Sequence, residues 1–293
     1  MPEAEAHRAN VTVVTGATSG IGRALMDQLA ERGGWLIGVG RSLERNQTAK
    51  AEIGAAYPHA HVSYLRADLA SLRQVRALAA SVREQMSEWG LDGLDGLVNN
   101  AAMVTFWREE TEDGYEKQWA VNHLAPFLLT NELLPLLIRA DKARVVTVSS
   151  GSHRGARIDW DNLQMNGLYN ALRAYSQSKF ANVLFSYELD RRTPSDLRAF
   201  AADPGLVDTD LAAKGTPFFV RWAWMVRRRG GISPEQAAKG VLKLLVDPEL
   251  QQAEQVYWRR GRPVAPDPNA LDPDAAERLW RVSAEMCGID KSD

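Results

Sequence analysis

Asn10-Val-Thr-Val-Val-Thr-Gly-Ala-Thr-Ser-Gly-Ile-Gly22 decides the fold. Its first residues, Asn10 to Val14, are short, β-branched and preceded by a polar tail, the pattern of a buried strand. The strand runs directly into Thr15–Gly22 and then into an amphipathic helix through about Arg32. Strand, glycine-rich turn and helix start together make an anion site, because backbone N–H groups and the helix dipole can hold a pyrophosphate. Gly16, Gly20 and Gly22 permit the tight turn and close backbone approach, with Thr18, Ser19 and Ile21 completing the loop. A glycine cluster alone is a weak signal; its place between a strand and a helix makes this one strong.

Working outward, Trp35-Leu-Ile-Gly-Val39 is a second strand ending at Gly40-Arg41. In a dinucleotide fold this tip meets the adenosine ribose, where an acidic residue would repel a 2′-phosphate. Here the tip carries Arg41, with Arg23 and Arg45 expected nearby, so the sequence favours NADP(H) over NAD(H). His61–Arg66 is a third strand with Asp68-Leu69 at its end, and Leu91–Val98 leads through a fourth into Asn99-Asn-Ala-Ala102. Small residues there let a cofactor pass close to the chain, and Asn99 can fix the turn. A long helix over about Thr111–Arg139 carries Asn122. Arg144–Val148 is the fifth strand and delivers Ser149-Ser150 to its carboxyl end, where ligands bind in open α/β sheets.

A long connection, Gly151 to Arg173, precedes the helix bearing Tyr175-Ser-Gln-Ser-Lys179. Connections of that length inside a domain are usually functional. Tyr175 and Lys179 stand four apart on one helix face, and an ammonium so close is expected to lower the phenol pKa from about 10. A phenol tuned this way can pass a proton near neutrality. A sixth strand, Leu197–Ala201, ends in Asp203-Pro-Gly-Leu-Val-Asp-Thr209, followed by the aromatic and basic segment Phe218–Arg229. A helix (Pro234–Val246), a strand (Glu254–Trp258), a proline-rich loop and a helix (Asp272–Met286) finish the chain. Strands alternating with helices predict one α/β domain over residues 10–293: a Rossmann-type doubly wound parallel sheet with helices on both faces, after a flexible tail at 1–9.

Composition narrows the partners. At 293 residues and 45% hydrophobic content the chain can bury a sizeable core. A formal charge of -2, from 35 basic and 37 acidic residues, gives no pull toward nucleic acid. The single cysteine, Cys287, allows no intrachain disulfide and no structural zinc cluster, and no metal site is expected. Met1–Asn10 lacks the apolar stretch of a secretory signal, and no run reads as a membrane span, so the expected place is the cytoplasm. Aromatic and basic groups adjoin in Phe218–Arg229, but one short patch without an anchor binds membranes weakly. Membrane association is not expected.

With these residues in order, the sequence resembles the short-chain dehydrogenase/reductase family over roughly residues 10 to 260. The ordered set is Thr15-Gly-x-x-x-Gly-x-Gly22, Asp68, Asn99-Asn-Ala101, Asn122, Ser150, Tyr175-x-x-x-Lys179, and Pro204-Gly205 with Thr209. Val121-Asn-His-Leu124, the wide gap between Ser150 and Tyr175, and Leu279-Trp-Arg-Val-Ser283 are similar to the retinol-dehydrogenase-like branch. Ala102 departs from the family's usual glycine, and the fingerprint is not the Gly-x-x-Gly-x-x-Gly of the extended type, whose larger C-terminal domain is not expected here. The resemblance implies hydride transfer between nicotinamide and a carbonyl or secondary alcohol. Tyr175 would be the general acid/base, Lys179 its tuning partner and ribose ligand, Ser150 the group bonding the substrate oxygen, and Asn122 the holder of a water leading to Lys179.

Asp68, Leu69, Asn99, Ala101, Pro204, Gly205, Val207 and Thr209 would join the glycine loop and Arg41 around the cofactor. A lid over about 206–232, with Phe218, Phe219, Trp222, Trp224 and Met225, would enclose a bulky apolar substrate. The long helices bearing Asn122 and Tyr175 would mediate a homodimer or homotetramer. The alternatives are reduction of a carbon–carbon double bond and a non-catalytic dinucleotide sensor; retention of Tyr175, Lys179 and Ser150 weighs against the sensor. Ser149 competes with Ser150 as the catalytic hydroxyl, while His123 and His153 read as structural.

Overall fold

β1 (Val11–Thr15) is buried along its whole length, as a strand covered on both faces must be. The computed structural model describes residues 10–207 and 231–289. β1 pairs in parallel with β2 (Trp35–Gly40) and β4 (Gly96–Asn99), with Val13 opposite Ile37 and Leu97. β3 (His61–Arg66), β5 (Ala143–Val148), β6 (Leu197–Asp203), β7 (Tyr257–Arg259) and β8 (Arg262–Pro263) complete one sheet in the order β3-β2-β1-β4-β5-β6-β7-β8. The strand order reverses between β1 and β4, which places a ligand crevice at the carboxyl ends of these strands.

The helices divide between the two faces. α1 (Gly20–Glu31), α2 (Leu43–Ala56) and the later helix Pro234–Val246 cover one, where Leu25, Met26, Ile53 and Val241 meet Val14, Leu36, Val98 and Phe200. α3 (Leu72–Glu88), α4 (Lys117–Ile138) and α5 (Ala171–Arg192) cover the other, packing Val75, Phe127, Leu128 and Leu184 onto Val13, Ile37 and Val145. Pro234–Val246 is α6, and α7 spans Pro273–Cys287.

Two elements differ from the sequence reading. α4 begins at Lys117 and not at Thr111, because the Glu116 carboxylate caps it, accepting from Gln118 N (2.9 Å) and Trp119 N (2.7 Å). Residues ahead of it instead form a bridge between Glu110 and Glu116 around Gly114, whose φ is 82°. α4 is also long and apolar enough to cross a membrane by length and composition alone, contrary to the expectation that no run is. Its apolar side chains are spent on the core, since 72% of that stretch is buried. The strand expected at 254–258 starts at Tyr257 and turns back through Arg260 (φ 50°) and Gly261 (φ 69°) into antiparallel β8. That two-residue turn with both φ positive matches the strand twist.

α7 lies over the outer side of α4 and α5, the helices expected to mediate self-association. Its Trp280 meets Phe127 edge-on at 5.0 Å and stacks on Phe185 at 6.0 Å, under the Arg192 guanidinium. Ser283 bonds His123 Nε2 (2.8 Å), and Tyr115 Oη donates to Met286 O (2.8 Å). The Asp272 carboxylate caps its first turn, a contribution of about 1 kcal/mol. An apolar surface offered by α4 and α5 is therefore filled from within the chain.

Candidate active site

The glycine loop is shaped by what it lacks. Gly16 and Gly20 have φ of 67° and 54°, and a Cβ on Gly22 would lie 2.3 Å from Gly16 O, so no side chain fits there. Ser19 gives α1 no side-chain cap and its first turn holds no acid, whereas Ser42, Ser71, Glu116, Asn170, Ser233 and Asp272 cap the starts of α2 to α7. The first amides of α1 thus keep their donors for an anion. This cradle fits the pyrophosphate of a dinucleotide.

Asn100, adjacent to the residue singled out in the sequence, fixes the turn. Its Nδ2 donates to Thr15 O (2.8 Å), while Asn100 N and Ala101 N donate to Thr15 Oγ1 (3.0 and 3.1 Å). Asn99 is buried and faces inward, its Nδ2 bonded to Thr130 Oγ1 at 3.0 Å. Strand parity explains the exchange: neighbouring residues point to opposite faces, and one sequence alone does not say which.

At the tip of β2, Arg41 and Arg45 are exposed and form no ion pair with any described residue. Arg66, opposite Gly40 in the register, joins them by donating from Nε to Arg41 O (3.3 Å). The sequence reading missed Arg66, since only strand pairing brings it to this tip. Arg23, expected in the same group, is committed elsewhere: it pairs with Asp27 (3.2 Å) and Glu52 (2.5 Å). Asp68 Oδ1 accepts from Ala70 N (3.0 Å), and Leu69 packs half-buried against the core.

The catalytic candidates converge at the end of β5. The Ser150 hydroxyl faces the Tyr175 phenol closely enough to oppose the rise in its pKa. Lys179 is fully buried, its Nζ donating to Val148 O (2.9 Å) and lying 5.6 Å from the Tyr175 ring centre. Ser149, the competing hydroxyl, is turned away and donates to Lys179 O (2.8 Å). Asn122 sits in a single wide turn of α4, Ala120–Leu124, of the kind that often marks function. Its amide is already committed: Oδ1 accepts from Met103 N (2.8 Å), and Nδ2 donates to Met103 O (3.0 Å) and Ser178 Oγ (3.1 Å). Ser178 Oγ in turn donates to Tyr175 O (2.7 Å), so Asn122 anchors the turn that carries the tyrosine.

Electrostatics correct one expectation. Burial, the largest influence, raises the Tyr175 phenol to about 12, the facing Ser150 hydroxyl opposing it and the Asp203 charge adding to it. Burial also lowers the Lys179 ammonium to about 7. Taking both groups out of water disfavours both ions, so burial and not the ammonium four residues away sets the phenol. Lys179 is nonetheless placed to hold or release a proton near neutrality.

The long connection is pinned to its surroundings. Gln177 accepts from Asp159 N (2.9 Å) and donates to Leu163 O (3.1 Å), while Tyr169 Oη donates to Glu116 Oε1 (2.9 Å). Between this connection and the start of α5 runs an open groove of about 710 Å³ lined by Ser152, Arg154, Arg157, Leu172, Arg173 and Ser176 among others. Past β6, Gly205 (φ 79°) donates its N–H to Asp203 Oδ1 (2.8 Å), and Val207 bridges to Ile232. Thr209 and the aromatic segment 218–225 lie outside the described residues. His123, which burial lowers to about 3, and His153 are fully buried, in keeping with structural roles.

The short chain dehydrogenase model matches residues 10–217. The chain is 36% identical to human (Homo sapiens) retinol dehydrogenase 13 across 95% of its own length and 84% of the relative's. It is also 36% identical to polyprenol dehydrogenase of Mus musculus, covering 97% and 85%. A solved structure, an uncharacterized protein from Mycobacterium Paratuberculosis, superposes with TM-score 0.75 at 31% identity, covering 98% of this chain and 96% of that one. The glycine cradle, the serine–tyrosine–lysine cluster and these likenesses agree: the chain belongs to the short-chain dehydrogenase family, in its retinol-dehydrogenase-like branch, and is a nicotinamide-dependent oxidoreductase.

Proposed function

We propose that this enzyme uses NADP(H) to interconvert the carbonyl and secondary alcohol forms of a bulky apolar substrate, with reduction favoured. The observation that carries the reading is the convergence of Ser150, Tyr175 and Lys179 at the carboxyl end of β5 beside the glycine cradle. The names of the relatives, retinol and polyprenol dehydrogenases, support an isoprenoid-like alcohol or carbonyl.

Gly16 to Gly22 would hold the pyrophosphate, Arg41 the 2′-phosphate, Asp68 and Leu69 the adenine side, and Lys179 the nicotinamide ribose. Ala101, Pro204, Gly205, Val207 and Thr209 would complete the envelope. When bound, the nicotinamide supplies or takes the hydride. The chain's own part is the proton: Tyr175 Oη gives it to the carbonyl oxygen, and Lys179, poised near neutrality, restores it. Ser150 Oγ bonds the same oxygen and stabilises the charge that develops there.

Kinetics with NADPH and NADH on a panel of apolar ketones test the cofactor choice. Wild type should favour NADPH strongly. Arg41→Ala should cut kcat/KM for NADPH by roughly 10- to 100-fold, the loss of one charge-assisted contact, and leave NADH nearly unchanged. Equal efficiencies with the two cofactors in wild type would defeat the assignment.

A further inference from the structure

A buried imidazole holds the loop that carries Ser150. His153 is fully enclosed, its Nδ1 2.7 Å from Ser150 O and its Nε2 3.1 Å from the backbone nitrogen of Asp267. A backbone amide can only donate, so Nε2 accepts and Nδ1 carries the proton given to Ser150 O. Burial lowers the His153 pKa and favours this neutral form. Asp267 makes a second tie to the same loop, its Oδ2 accepting from Gly155 N (2.9 Å) and from Arg157 Nη1 (3.2 Å).

The other side of the ring is also built. It packs 4.7 Å from the Tyr257 ring, whose buried hydroxyl donates to Asp203 Oδ2 (2.8 Å). Asp203 Oδ1 meanwhile holds Gly205 N (2.8 Å). One packed unit therefore joins the Ser150 loop, the Pro204-Gly205 turn and the segment before α7. Among the described residues, Ser150 Oγ accepts one hydrogen bond, from Ser152 N (3.3 Å) on this same loop, and it faces the Tyr175 phenol. Its direction depends on the backbone beneath it.

We propose that His153 is a positioning residue: by clamping Ser150 O to the Asp267 backbone it aims the Ser150 hydroxyl at the reacting oxygen. The inference rests on the carbonyl-reductase reading above. It assigns no proton transfer to the imidazole, whose two nitrogens are both engaged within the protein.

A double-mutant cycle tests it, with turnover on the best ketone of the panel and NADPH affinity measured for each protein. His153→Phe keeps the ring against Tyr257 and removes both polar contacts. In the Ser150 background it should lower kcat by roughly 10- to 100-fold, the scale of a misaimed catalytic group, with NADPH affinity unchanged. In the Ser150→Ala background it should cost nothing further, because its effect passes through that hydroxyl. His153→Asn, which retains a donor toward Ser150 O, should recover part of the loss and stands in if the phenylalanine variant does not fold.

Amide hydrogen exchange supplies a readout independent of substrate: His153→Phe should expose the Gly155 and Asp267 amides while Gly16–Gly22 keep their protection. Equal losses of kcat in both backgrounds, or unchanged exchange at Gly155 and Asp267, would overturn the proposal. A Ser150→Ala enzyme as fast as wild type would instead overturn the role of Ser150 itself.

Discussion

Tyr175→Phe is expected to lower kcat by roughly 100- to 10,000-fold, the usual worth of a positioned acid/base, while NADPH still binds. The substitution removes one oxygen and keeps the ring under which Lys179 Nζ lies at 5.6 Å. It also leaves the anchors of this turn intact, since Ser178 Oγ bonds the backbone carbonyl of residue 175 and not its side chain. Folding should therefore hold, and the melting temperature should move little. Steady-state turnover beside a cofactor-binding titration checks this, and normal turnover in the folded variant would remove Tyr175 from proton transfer.

Lys179→Met should lower kcat by about 100-fold and change how stability depends on pH. In the folded chain burial brings the ammonium to about 7, below its ordinary value of 10.5. Between those values the unfolded chain binds the extra proton, so the Lys179 contribution to unfolding free energy rises with pH from about 7 to about 10. Over that range the gain should amount to a few kcal/mol. From about 9 the slope is opposed by Cys287, whose buried thiol stays protonated to about 12 while the unfolded one ionises, and above about 10 by Tyr175 and the other buried tyrosines in the same way. Urea unfolding of both proteins from pH 7 to 9, below the range in which Cys287 titrates in the unfolded chain, checks this: the slope should be present in wild type and absent in the methionine variant. Identical slopes would mean that Lys179 is not held uncharged.

What could be read from the sequence was local. Gly16, Gly20 and Gly22 advertise themselves because a positive φ or a missing Cβ is a property of glycine, and the Tyr175–Lys179 spacing follows from helix geometry. What could not be read depends on residues far apart. Arg23 looked like a phosphate ligand until Glu52, on the next helix, claimed it. Asn99 and Asn100 are chemically identical, and only the pairing of β4 sends one into the core and the other to the loop. Spacing points to an ammonium effect on Tyr175, but burial sets the phenol and disfavours the ammonium itself, and burial is decided by the whole fold. The covering of α4 and α5 by α7 was likewise hidden, since Trp280 and Ser283 find their partners more than a hundred residues upstream or on α5. The start of α4 was misplaced because Glu116, an unusual capping residue, took the role that Ser, Thr, Asp or Asn usually signals.

The most direct test follows deuterium into product from NADPH carrying deuterium at both C4 positions of the nicotinamide, using wild type and an apolar ketone. The expected product is an alcohol carrying deuterium on the former carbonyl carbon, formed by wild type and nearly lost in Tyr175→Phe. Label that stays on bound cofactor across the whole ketone panel, or that enters a carbon–carbon double bond with the carbonyl intact, would contradict carbonyl reduction at the Ser150–Tyr175–Lys179 cluster.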